Sequence, residues 1–210
     1  TTTPSGLAKI TALASNFAVD NTALAVYGGD LLGNVWKFDL TAATPAAIRL
    51  AQTAGPTQPI TTRPEITRIG TEYVLYVATG AYLAGPERAN TATQTVYAFK
   101  DTNANLGNLR SNGGIVANTA SLAGTTVTIG KTTTVDWTTQ LGWRVDLPQA
   151  GERVNIDPQL IQGNLLIASN VPDTDACSAG GESFFYAFDY LNPRAAINSL
   201  NGTTLGTRIG

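Results

Sequence analysis

The sequence predicts an all-β chain, a β-propeller-like array of about three four-stranded antiparallel blades forming an arc or fragment of a larger, modified propeller. Three observations carry this. First, one hairpin phrase recurs in degenerate form: an apolar strand ends in small residues, turns, and returns as an aromatic-x-Phe strand closed by Asp. Its copies are Val26–Asp30 with Asn34–Leu40, Val74–Gly80 with Thr95–Asp101, and Leu165–Asn170 with Phe184–Asp189. A unit of this kind cannot bury its own face and must stack on its copies. Second, polarity comes largely from Thr, Asn, Ser and Gln, while Asp, Glu, Lys and Arg make up only 13% of the chain. Thr favours pleated, half-buried surfaces. Third, no stretch sustains a strong helical period.

The elements follow in order. Residues 7–16 are short and apolar and read as a strand. Residues 23–28 and 34–40 form a hairpin about Asp30-Leu31-Leu32-Gly33-Asn34, where Gly and Asn accept positive φ. Ile48–Thr53 is the outer strand, and Gly55–Pro59 links to the next unit. Arg63–Ile69 alternates, Gly70–Glu72 turns, and Tyr73–Thr79 is the next strand. A long polar loop, 81–93, precedes the return strand Thr95–Asp101. An insertion of about 102–141, rich in Asn, Gly and Thr, should hold a loose surface hairpin near Ile115-Val116 and Thr126–Ile129. Gly142–Pro148 is a strand, and Gly151–Val154 leads into the third unit. That unit runs through Asp157–Ile161, a Gly163-Asn164 turn, Leu165–Ser169, a hairpin tip at 170–182 and a return at 183–190. A last strand is expected near Thr203–Ile209. All 210 residues read as a single propeller-type domain or partial propeller; a closed ring usually needs 4–8 blades.

Composition excludes several functions. The net charge is −2 and the 13 Lys and Arg are scattered, so no basic stripe exists to track nucleic acid. No 18-residue apolar run is present, which argues against membrane insertion. The absence of His removes the usual general base and the commonest transition-metal ligand. No Gly-x-Ser-x-Gly, phosphate-cradling loop or metal-spaced Cys/His set occurs. The chain is expected not to be an enzyme.

Among candidate residues, Asp39, Asp101 and Asp189 each close a return strand, and their carboxylates should accept turn amides. Trp36, Tyr97 and Tyr186 should pack between blades. Asp173, Asp175 and Glu182 share one loop, but loop placement without a partner base counts against catalysis. Calcium needs alternating oxygen ligands with several carboxylates. Residues 16–26 offer only Asp20. Asp101, Asn103 and Asn105 come closer, although Gly107 falls one place late and Asn112 stands where an acidic ligand belongs. Any binding there should be weak, near the millimolar end. No cofactor is otherwise expected. Cys177 is either a free thiol in a turn or half of a disulfide whose partner lies elsewhere; the sequence leaves both open. Long hairpin loops of stacked blades fall on one rim. The interaction surface is therefore expected in loops 81–94 and 170–182, with Tyr82, Glu87, Arg88, Asp173 and Asp175.

Several phrases together resemble a known family. Tyr27–Leu40, Pro59–Glu65, Ala78–Leu83, Gly142–Leu147 with Gly151–Val154, and Pro172–Gly181 are similar, in that order, to the C-terminal β-propeller of type IV pilus tip-associated proteins of the PilC/PilY type. The resemblance implies an exported bacterial protein at the pilus tip or cell surface, periplasmic in transit. It implies support of pilus assembly, extension and adhesion through minor pilins, pilus assembly proteins or a surface receptor. Many members carry a calcium loop before the Tyr-x-Gly-Asp strand; here Phe17–Leu24 lacks its acidic ligands. Two other classes share blade-end features. A quinoprotein-like propeller enzyme would need a quinone and calcium ligands. A carbohydrate-binding propeller would need exposed stacking rings, for which Tyr82, Trp137 and Trp143 are the candidates.

Overall fold

The hairpin phrase folds as its residues dictate. In a computed structural model, which describes residues 5–16, 18–173, 175, 180–196 and 202–209, β1 (Leu7–Asn16), β2 (Asp20–Asp30), β3 (Asn34–Asp39) and β4 (Ala46–Gln52) pair in sequence order, all antiparallel. The turn between β2 and β3 is organised by Asp30. Its Oδ1 accepts the amides of Leu32 and Asn34 at 2.9 and 2.8 Å, and its Oδ2 accepts Trp36 Nε1 at 2.9 Å. Gly33 sits at φ 72° in this turn, a conformation that a Cβ disfavours. The Asp30-x-x-Gly33-Asn34-x-Trp36 phrase is thus a self-bonded turn.

A second antiparallel run is β5 (Glu65–Ile69), β6 (Glu72–Ala78), β7 (Thr95–Lys100) and β10 (Gly142–Asp146). A third is β11 (Gln159–Ile161), β12 (Asn164–Pro172), β13 (Gly181–Asp189) and β14 (Thr204–Arg208). The insertion supplies β8 (Ile115–Ala123) and β9 (Thr126–Ile129). This hairpin is not loose. β8 lies parallel to β10, and β9 lies antiparallel to β14, so the second and third runs join into one ten-stranded sheet beside the separate four-stranded one. The reason is physical. A lone hairpin is marginal in water, and β10 and β14 would otherwise carry open edges. Docking also buries Val127, Ile129 and Ala120. The described part is therefore all-β apart from short 3-10 turns such as Gly55–Thr57 and Gly85–Ala89.

Period-two alternation splits the core. Val74, Tyr76, Val96 and Ala98 of the middle run face Ile167, Phe184, Tyr186 and Phe188 of the third run. Leu75, Val77, Tyr97 and Phe99 face Tyr27, Val35 and Leu50 of the first. Both faces of the middle run are thus buried. Trp143 stacks on Phe188 with ring centroids 5.9 Å apart, and Tyr186 stacks on Phe188 at the same distance. Tyr97 and Tyr186 are fully buried between runs. Trp36 is only half-buried, against expectation. Val35 and Lys37 turn towards the second run, so alternation sends Trp36 and Phe38 to the opposite face of the first sheet.

The starts of the three runs also meet. Lys9 Nζ on β1 pairs with Asp157 before β11 at 2.9 Å, and the Arg63 amide before β5 donates to the same carboxylate at 3.0 Å. The described residues contain no helix long and apolar enough to cross a membrane.

Candidate functional site

The three strand-closing carboxylates do the same local job. Asp39, Asp101 and Asp189 each accept the backbone amide two residues on, at 2.9 Å from Thr41, Asn103 and Leu191. Asp101 does more. Its Oδ2 accepts Tyr27 Oη at 2.6 Å and pairs with Lys37 Nζ at 2.7 Å. Lys37 also donates to Asn103 Oδ1. Burial, followed by the neighbouring Asp101 carboxylate, pushes the Tyr27 hydroxyl pKa well above its ordinary value. Asn105 Oδ1 accepts the Gly107 amide at 2.9 Å. Two of the three calcium candidates therefore converge on an ammonium from the neighbouring sheet, and the third closes its own turn. Asp20 accepts the Thr22 amide at 2.8 Å on the surface. Among the described residues no group of three His, Cys, Asp or Glu could hold a metal ion.

The described parts of the two loops 81–94 and 170–182 lie together. The loop after β6 begins at Thr79-Gly80, where the Val154 amide donates to Thr79 O at 3.1 Å. Gly80 has φ 144°, and a Cβ there would lie 2.5 Å from that amide nitrogen, so the close approach needs glycine. Arg153, on the segment leading into the third run, then ties the loop down. Its backbone exchanges two hydrogen bonds with Asn170 of β12, at 2.9 and 3.0 Å. Its guanidinium donates to Glu87 O at 2.6 Å and Asn90 O at 3.0 Å and lies 5.9 Å from the Tyr82 ring centre.

Between these elements lies a groove of about 290 Å³. Tyr82 from the first loop forms one wall; Asn170, Val171, Pro172, Glu182 and Ser183 from the β12–β13 hairpin form the other. Tyr82 is 41% exposed. Glu87 and Arg88 shape the loop from within. Glu87 Oε2 accepts the Leu83 and Ala84 amides, and Arg88 Nε donates to Gly85 O at 3.4 Å. Asp173 Oδ1 accepts the Asp175 amide at 2.9 Å. Cys177 lies outside the described residues.

Below the groove, Glu152 is fully buried and accepts the hydroxyls of Ser169 and Tyr186. Burial raises its carboxyl pKa and outweighs those two bonds. Of the candidate sugar-stacking rings, Trp143 is fully buried, Trp137 is half-buried with Nε1 donating to Leu191 O at 2.9 Å, and Tyr82 stands at the surface. Arg153 and Lys37 were not among the predicted site residues, and Asn170 was included only as the first residue of the 170–182 loop. Arg153 carried one sequence signal, its place in Gly-Glu-Arg-Val between two units.

A curated relative is similar in sequence. Over 209 aligned residues the chain is 26% identical to a type IV pilus biogenesis factor PilY1 homolog of Xylella fastidiosa, across 87% of this chain. The chain is similar to a pilus biogenesis factor. It spans 14% of that relative's length. No protein-family model matches the chain.

Proposed function

We propose that this chain is a PilY1-like, non-catalytic domain of a type IV pilus biogenesis factor. Its three four-stranded antiparallel runs are propeller blades. It supports pilus extension and surface attachment by binding partners on the rim built from loops 81–94 and 170–182. The observation that carries this reading is the meeting of those two loops in one groove, pinned by the Arg153 guanidinium. The named relative supplies the pilus context.

Minor pilins, other assembly proteins or a surface receptor are the proposed partners. An exported location at the pilus tip or cell surface, reached through the periplasm, follows from that role. The half-buried Trp36 and Phe38 and the exposed Phe185 lie on the outward faces of the first and third runs. Those are the faces on which further blades of a larger ring would pack, and the relative's greater length leaves room for them. A quinoprotein-like activity gains no support from the buried Trp143 or from carboxylates engaged in turns.

The test replaces both loops with short Gly-Asn turns in the full-length protein. Circular dichroism should show retained folding, and pilus extension and attachment should be lost. Unchanged pilus extension and attachment with both loops gone would reject the proposal.

A further inference from the structure

We propose that the groove between Tyr82 and the β12–β13 hairpin binds one ring of a neutral saccharide. This deepens the reading of the rim as a binding surface and rests on it. Three observations point to this chemistry. The first is an aromatic wall at the surface: the Tyr82 ring is held in place by Arg153 and remains 41% exposed. Such a ring stacks on the C–H face of a pyranose, as an amphipathic aromatic with a polar tip does at interfaces.

The second is a shortage of donors. Asn170 Oδ1 and Glu182 Oε2 are buried and have no hydrogen-bond partner among the described residues. Both residues line the groove. A buried acceptor without a donor is costly, so a side-chain shift that turns either oxygen towards the groove would be favoured by a ligand rich in O–H groups. The Ser183 and Tyr82 side chains offer hydroxyls on the same walls.

The third is charge. Glu182 Oε1 already pairs with Arg208 Nη1 at 2.7 Å, and the Arg153 guanidinium stands behind Tyr82. Glu182 is the one charged side chain among the described lining residues, and Arg208 already offsets it, so the groove favours a neutral ligand over a charged one. The volume, about 290 Å³, sits at the small end of small-molecule sites and suits one ring with the chain continuing into solvent.

Neutral pyranosides reach such a rim from two sources, a surface glycan or a sugar carried on a pilin. The experiment screens the purified chain on a neutral glycan array, and on pili before and after periodate oxidation. It then titrates methyl β-galactoside, methyl β-glucoside and methyl α-mannoside by NMR, with sialyllactose and spermidine as charged controls. At least one neutral glycoside should bind. Tyr82→Ala and Glu182→Gln should each weaken it roughly ten-fold or more, the equivalent of about 1.4 kcal/mol. Tyr82→Phe, which keeps the ring, should retain most of the affinity. Glu182→Gln preserves an acceptor for Arg208, so folding should survive it. Binding on the array alone or on pili alone assigns the source, and either supports the site. No neutral binding by the folded chain, binding only of the charged controls, or affinity unmoved by Tyr82→Ala would overturn it. Pilus extension in the loop-swap strain is read separately, so a failed saccharide site leaves the biogenesis reading standing or falling on its own assay.

Discussion

Replacing Lys37 by methionine should destabilise the fold by an amount the geometry bounds. The Lys37 and Asp101 side chains are only 10% and 3% exposed, and they join the first sheet to the second run at 2.7 Å. Removing one member of a buried pair leaves a stranded charge, at a cost of roughly 3–5 kcal/mol. Here Asp101 keeps two donors, Tyr27 Oη at 2.6 Å and the Asn103 amide at 2.9 Å. That places the cost near the lower end, about 3 kcal/mol. A chain of this length moves by roughly 2–4 °C per kcal/mol, so the melting temperature should fall by about 6–12 °C. A triple variant, Lys37→Met with Asp101→Leu and Tyr27→Phe, removes the stranded charge and its remaining hydroxyl donor, and should recover most of the loss. Thermal and urea melts followed by circular dichroism measure both. A shift below about 2 °C for Lys37→Met, or a triple variant worse than the single one, would refute the argument that an uncompensated carboxylate dominates.

Calorimetry of the wild-type chain with calcium should show no binding tighter than millimolar, because the Lys37 ammonium already faces Asp101 and Asn103; micromolar heat lost in Asp101→Ala would contradict this. Glu152 gives a pH dependence of defined sign. Burial raises its folded-state pKa above the ordinary 4.5. Its contribution is therefore full below that value and is lost as pH rises through the folded pKa. Urea midpoints measured upward from about pH 4 should fall less steeply in Glu152→Gln than in the parent, and identical slopes would disprove the burial argument. Arg153→Ala should free the 81–90 segment, since the guanidinium bonds to Glu87 O and Asn90 O are lost. Amide exchange there should accelerate at least roughly ten-fold while β6 and β7 stay protected; unchanged exchange would mean that the loop holds itself.

Much of the fold was legible because each strand carries its own pattern. The recurring hairpin phrase marked Val74–Ala78 and Thr95–Lys100 as strands, Gly33 and Asn34 marked the turn, and the closing Asp residues marked the strand ends. The half-buried Trp36 was misread because a recurring motif position fixes which face a residue takes, while whether another sheet covers that face depends on neighbours. The insertion was read as loose because the alternations in β8 and β9 are short and polar-flanked. Their stability comes from pairing with β10 and β14, which lie far from them in the chain or follow them. Loops 81–94 and 170–182 were picked out by length and composition, but the tie through Arg153 could not be, since the partners of its guanidinium are backbone carbonyls 63 and 66 residues away.

The sequence by itself determined the all-β class, the hairpin units and the self-bonded turns, because these depend on contacts within a few residues. It also determined that no histidine is present. Only the tertiary structure decided that an ammonium stands beside the Asp101 candidate site, that β8 and β9 join two runs into ten strands, and that Tyr82 faces Asn170 and Glu182 across one groove. The second depends on backbone pairing at distant strand edges, and the other two on side chains brought together by packing. Stacking is driven by non-directional apolar burial over whole faces, so no local residue pattern records which polar groups end up opposite one another.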